Sequence, residues 1–215
     1  MLKIPNEVIF SVLRTLKQVN PGDTYYEAYL GHLAKRGESF FDIYHAIWSH
    51  AIEHKPKRIL EIGTRTGISL CQLLSAYIDT NIIERIVCCD LFNDGFISSE
   101  LVKFNLKTLG ISKETVDIIE FMQGDSKDII PKLEGTFDYI LVDGGHDELT
   151  AYTDLTNVTK LIEKNGVILF DDIAPDGCNL LTVWEKWKQE QGSRFDYFED
   201  MNGKGTAIAV CKGEI

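Results

Sequence analysis

No stretch of the chain is apolar for long enough to span a bilayer, and Met1-Leu2-Lys3-Ile4-Pro5-Asn6-Glu7 lacks the apolar core of a secretory signal. A cytoplasmic protein with no membrane partner is therefore expected. Positive charge is also scarce: 22 Lys and Arg stand against 33 Asp and Glu, a net charge of −11. Binding nucleic acid needs a clustered basic surface to neutralise phosphates, so that role is not expected. The five cysteines (Cys71, Cys88, Cys89, Cys178, Cys211) have no metal-type spacing and are expected to be reduced and buried on strands and helices. Internal repeats and low-complexity segments are missing, and 215 residues suffice for one sizeable core.

What is present is a regular alternation. Asn6 is placed to cap a helix with apolar face Val8, Ile9, Val12, Leu13 and Leu16, which Asn20-Pro21-Gly22 ends. An irregular stretch over 23–39 holds Tyr25, Tyr26, Tyr29 and His32, a candidate lid or core packing. A second helix follows with Phe40, Tyr44, Ile47, Trp48 and Ala51 at helical spacing. Strands are predicted at 58–62, 85–90, 116–122, 137–143, 166–171, 195–200 and 206–211, with helices between the first six, such as 68–78 and 149–162. The latter is expected to stop at Asn165-Gly166. Continuous apolar strands separated by helices indicate an α/β fold, a doubly wound and mostly parallel sheet covered on both faces. Only Met201-Asn202-Gly203-Lys204-Gly205 joins the final two strands, too little for a crossover, so the last strand should run antiparallel. Residues 1–56 then form a helical extension packed on a core domain of 57–215.

Ligands in such sheets sit beyond the C-terminal strand ends. The first strand ends in Glu61-Ile62-Gly63-Thr64-Arg65-Thr66-Gly67-Ile68-Ser69, a carboxylate and then two glycines opening a helix. A dinucleotide turn would carry Gly-x-Gly-x-x-Gly, but Arg65 stands at the middle glycine. The acidic residue before the turn suits a ligand carrying positive charge. The second strand delivers Asp90, a carboxylate able to accept from both ribose hydroxyls. The third leads to Asp125-Ser126, a ligand-facing pair or a helix N-cap. The fourth delivers Asp143-Gly144-Gly145-His146, and the fifth Asp171-Asp172. If the last two strands are neighbours, three carboxylates and an imidazole meet on one rim. Like charges raise one another's pKa, and a divalent cation is the simplest compensation.

The segment from Glu61 to Ser69 resembles motif I of class I S-adenosylmethionine (SAM)-dependent methyltransferases. The fourth and fifth strand ends resemble the metal-dependent O-methyltransferases of the catechol and caffeoyl-CoA type, and the subgroup with Asp-Gly-x-His after strand four. The resemblance implies a Rossmann-like seven-stranded sheet, with SAM held by Glu61, Gly63, Thr64, Gly67, Ser69, Asp90, Asp125, Ser126 and Asp143. It also implies Mg²⁺ or another divalent cation at Asp143, Asp171 and Asp172. Asp143 and His146 are the catalytic pair it implies. Asp172 departs from the Asn usual in the catechol type, and His146 stands where that type has lysine, so base, metal ligand and structural residue all remain open for it. The implied reaction is methyl transfer to a hydroxyl of a small molecule. A noncatalytic SAM-binding or interaction module and a metal-independent methyltransferase are the alternatives. The N-terminal helices are a candidate homodimer surface.

Overall fold

The computed structural model describes residues 5–22, 27, 42–77, 80–93 and 95–213. Its strands are β1 (Arg58–Ile62), β2 (Arg85–Asp90), β3 (Ile119–Gln123), β4 (Phe137–Val142), β5 (Ile162–Asp171), β6 (Phe195–Asp200) and β7 (Thr206–Cys211). They form one sheet in the order β3-β2-β1-β4-β5-β7-β6. Strands β1 to β5 pair in parallel, while β7 lies antiparallel to both β5 and β6. The short Met201–Gly205 link dictates that reversal. Chain order changes direction between β1 and β4, so their C-terminal ends diverge and leave the crevice in which α/β sheets bind ligands.

Side chains alternate across the sheet, and each face builds its own core. Leu60, Ile62, Ile140, Val142, Ile168 and Phe170 face α7 (Glu148–Val158) and α8 (Leu181–Gln191), where Trp184 and Trp187 are fully buried. The opposite face carries Ile59, Cys88, Tyr139, Leu141 and Leu169. It is covered by α1 (Pro5–Val19), α2 (Asp42–His54), α3 (Ile68–Ser75) and α4 (Ser99–Thr108). Val8, Val12, Ile47 and Ala51 of the two N-terminal helices belong to that same core. Fully burying side chains of this size contributes roughly 1.5–3 kcal/mol each, so α1 and α2 are held firmly on the sheet. Two shorter helices, α5 (Lys113–Asp117) and α6 (Ser126–Ile129), flank β3.

Several expectations require correction. Residues 116–118 are not strand: the Ser112 hydroxyl accepts from Thr115 N at 3.2 Å and caps α5, so β3 begins at Ile119. Helix α7 ends at Val158, because Phe137 N donates to Leu161 O at 2.8 Å and draws 161–162 into sheet pairing. Asn165 is left-handed (φ 63°), but inside β5, where the register with β4 jumps, rather than at a helix end. Asn6 lies within α1, whose first residue Pro5 suits a helix start because its missing N–H would be unpaired there anyway. All five cysteines are free, but Cys178 is exposed on a loop. Tyr25, Tyr26, Tyr29, His32 and Phe40 lie outside the described residues.

Candidate active site

A cleft of about 630 Å³ opens over the C-terminal ends of β1, β2 and β4. Its first wall is mostly backbone. Gly63 N donates to Cys89 O at 2.9 Å, continuing the β1–β2 pairing into the turn, and Gly67 N donates to Thr64 O at 2.7 Å. Gly63 has φ 89°, and a Cβ there would lie 1.8 Å from Asp143 O, so the turn closes on β4 only with glycine. Gly67, also left-handed, precedes α3, and its missing side chain makes room for Val102 of α4. Asn105 fixes the turn from below, its side-chain amide donating to Thr66 O at 3.0 Å.

Thr64, Ser69, Asp90, Asp125 and Ser126 all line the cleft. Asp90 accepts from Arg65 N at 2.7 Å and Phe92 N at 2.8 Å, one bond to each oxygen. Those bonds fix its carboxylate at the rim while each oxygen keeps capacity for another donor. Asp125 caps α6, accepting from Lys127 N at 2.9 Å, so its capping role is met whatever else it binds. Glu61 and Gly67 lie behind the cleft surface rather than on it. Glu61 is 2% exposed, lies beneath the turn near Cys88, and has one oxygen with no hydrogen-bond partner among the described residues. Burial pushes its carboxyl up to about 7, and Asp143 and Asp90 add to the rise.

The second wall is charged. Asp143, at the end of β4, accepts an ion-pair contact from His146 Nε2 at 3.6 Å, and Asp172 lies 3.1 Å from the same nitrogen. The contact with Asp143 raises the imidazole's affinity for a proton, and the Asp172 charge reinforces it against partial burial. Oxygens of Asp143, Asp171 and Asp172 lie within 4.8 Å of one another. Asp172 is left-handed (φ 65°), an uncommon backbone state that Asp tolerates better than most residues. It is held by Leu180 N, which donates to its carbonyl at 3.1 Å.

Asp171 and Asp172 are 2% and 1% exposed and are missing from the cleft lining. Above them sits Lys204, whose Nζ reaches Asp171 at 2.9 Å and Asp172 at 2.7 Å. Burial pushes the Asp171 carboxyl up, Asp143 adds to this, and Lys204 opposes it. The cleft is completed by Leu13, Leu16, Tyr44 and Ile68, an apolar margin supplied by α1, α2 and α3.

A family model described as a methyltransferase domain matches residues 60–173, from β1 to just beyond β5. The chain belongs to this methyltransferase family. An O-methyltransferase, hkm8, of Aspergillus hancockii is 31% identical over 126 residues, 59% of this chain and 46% of that protein. A probable caffeoyl-CoA O-methyltransferase 3 of Dictyostelium discoideum is 26% identical over 136 residues, 63% of this chain and 51% of that protein. The chain thus spans about half the length of these curated relatives. Among solved structures, the Bacillus cereus O-methyltransferase in complex with SAH superposes with TM-score 0.63 at 17% identity, covering 93% of this chain and 91% of that one. TomG of Streptomyces achromogenes in complex with SAM gives 0.60 at 22% identity, covering 79% of each chain.

Within this chain the segment matched by the family model holds Glu61, Asp90, Asp125, Asp143, His146, Asp171 and Asp172. Lys204 and the apolar margin from α1 and α2 lie outside it, and sequence reasoning passed over both. No sequence signal placed Lys204 there: it is the antiparallel pairing of β7 with β5, with Thr206 opposite Asp171, that brings residue 204 close to Asp172. Asp154 was also missed. It is fully buried on α7, its oxygens have no hydrogen-bond partner among the described residues, and burial pushes its carboxyl up to about 6.

Proposed function

We propose that this chain transfers the methyl group of SAM to a hydroxyl oxygen of a small molecule. One observation carries the reading: a single cleft joins the backbone wall of Gly63, Thr64, Asp90 and Ser126 to the charged wall of Asp143 and His146. Asp90 would take the ribose hydroxyls, and Asp125 with Ser126 the adenine edge. The acceptor's body would rest on Leu13, Leu16 and Tyr44, which favours a compound with a flat apolar portion. The sulfonium methyl needs little activation, so alignment is the main task. Correct positioning can contribute roughly 7–11 kcal/mol.

His146 is the proposed base. Its Nε2 faces Asp172 at 3.1 Å, and a proton held on that nitrogen would leave the basic lone pair on Nδ1 to accept the hydroxyl proton. Asp143 and Asp172 stabilise the imidazolium that results. Asp143, Asp171 and Asp172 would hold a divalent cation. Their hard oxygens suit Mg²⁺, and buried Asp171 Oδ1 has no hydrogen-bond partner among the described residues. Such an ion, when bound, supplies Lewis acidity toward the acceptor oxygen.

Calorimetric titration with SAM, followed by a screen of hydroxyl compounds with methyl-labelled SAM with and without Mg²⁺, tests the reading. Micromolar binding and labelled product are expected. Binding with no product across phenols, catechols and sugar alcohols would instead favour a SAM-binding module, and no binding would end the proposal.

A further inference from the structure

Two carboxylates that would serve a metal are closed off from the cleft. Asp171 and Asp172 are buried, and Lys204 lines the cleft directly in front of them. Its ammonium contacts both, at 2.9 and 2.7 Å. The backbone beneath this ammonium is fixed. Ala174 N donates to Lys204 O at 2.8 Å and Ile173 N to Gly205 O at 3.2 Å, stitching the β6–β7 hairpin to the loop after β5. The side chain is not so fixed: it is about one-third exposed (32%) and has four rotatable carbons through which the ammonium can swing out. We propose that Lys204 is the resident counter-cation of Asp171 and Asp172, and that a divalent cation reaches these carboxylates only by displacing its ammonium.

The physical case follows from charge. Buried carboxylates that face one another at contact range are costly unless a cation lies between them. Lys204 meets that requirement in the free protein. His146 contributes at the outer edge, touching Asp172 and Asp143 but not Asp171. Among the described residues Asp171 Oδ1 has no hydrogen-bond partner, so the ammonium satisfies only part of the donor set. A doubly charged ion with several oxygen ligands satisfies more of it, but must first break two charge-assisted contacts. Removing Lys204 should therefore have opposite effects on the two states. The metal-free protein loses stability, and the affinity for metal rises.

This inference rests on reading Asp143, Asp171 and Asp172 as a cation's donor set. The test uses the full chain and Mn²⁺ as probe, with affinity measured by electron paramagnetic resonance and melting temperature by calorimetry. Lys204→Met is expected to bind Mn²⁺ at least about tenfold more tightly than wild type. It should melt lower without metal and gain more on adding it. Lys204→Gln serves if the methionine variant does not fold. Lys212→Met, which removes an exposed ion pair with Asp196, should leave Mn²⁺ affinity unchanged. Equal or weaker Mn²⁺ affinity in the Lys204 variants overturns displacement while the donor set stands. No Mn²⁺ binding by any variant overturns both. SAM titration, read separately, keeps either failure distinct from failure of the methyltransferase reading.

Discussion

The two walls of the cleft are built on different principles. The Gly63–Ser69 wall is local: a strand end, a glycine turn and a helix start, with backbone N–H groups and one carboxylate, Asp90, pinned by two of them. The opposite wall is assembled from distant segments. Asp143 and His146 follow β4, Asp171 ends β5 with Asp172 just after it, and Lys204 comes from the β6–β7 hairpin. The turn itself is local in sequence, but it is braced from outside by Cys89 O on Gly63 N, by the Asn105 amide on Thr66 O and by close packing of Gly63 on Asp143. The assembled wall has its backbone fixed by hydrogen bonds, and its side chains are held by opposite charges, Lys204 on Asp171 and Asp172 and His146 on Asp143 and Asp172. The lesson is that donor binding should be robust to chemistry at the rim, while acceptor chemistry should be sensitive to it.

The sharpest way to break this division is His146→Ala. Turnover should fall about 10²–10⁴-fold, the usual worth of a positioned general base, with SAM affinity nearly constant. Wild-type turnover would remove His146 from the chemistry. A large loss of SAM affinity would mean that the walls are not independent.

Glu61 tests what lies under the local wall. Its carboxyl is raised from 4.5 to about 7, so the folded state binds its proton more tightly than the unfolded chain does. The stabilisation is therefore complete below about pH 4.5 and is lost as pH rises to about 7, amounting to roughly 3 kcal/mol. Glu61→Gln keeps the neutral shape and should flatten this dependence. Urea denaturation of both proteins at pH 5 and pH 8 measures it, and parallel curves at the two pH values would show that burial does not control this group.

Asp90→Ala should weaken SAM about 10–100-fold by calorimetry, the loss expected when charge-assisted hydrogen bonds are removed. Mn²⁺ affinity should not move. An unchanged SAM affinity would take Asp90 out of the donor site, and a shift in Mn²⁺ binding would couple the walls. The smallest effect is expected for Leu16→Ala at the apolar margin. It should raise the KM for the acceptor severalfold with SAM affinity unaltered, and an unchanged KM would assign the acceptor's body to another surface.

Legibility in the sequence follows the same divide. Strands β1, β2, β6 and β7 were readable to the residue: β1, β2 and β7 are compact apolar runs, and β6, half of it acidic, is bounded by Gly192 and the Asn202-Gly203 turn. The start of β3 was not, since Val116 is as suitable for a strand as for the short helix that Ser112 caps. The end of α7 was missed for a related reason: Ile162 continues the helical spacing, but pairing with β4 is a long-range interaction that no local pattern displays. The acidic residues of both walls could be named in advance because strand ends mark where ligands bind. That the Glu61 side chain lies buried beneath the turn was not legible, since it depends on which face of β1 it occupies.

By itself the sequence determined the alternating α/β architecture, the reversed last strand, the glycine turn and the acids at five strand ends. These depend on periodicity, connection length and backbone sterics, which act over a few residues. Only the tertiary structure decided that Glu61 would be sealed below the turn, that α1 and α2 would margin the cleft, and that Lys204 would sit on Asp171 and Asp172. Those outcomes depend on sheet order and hairpin register, which bring together charges more than 30 residues apart. Local sequence does not encode the balance of burial and pairing that such charges then strike.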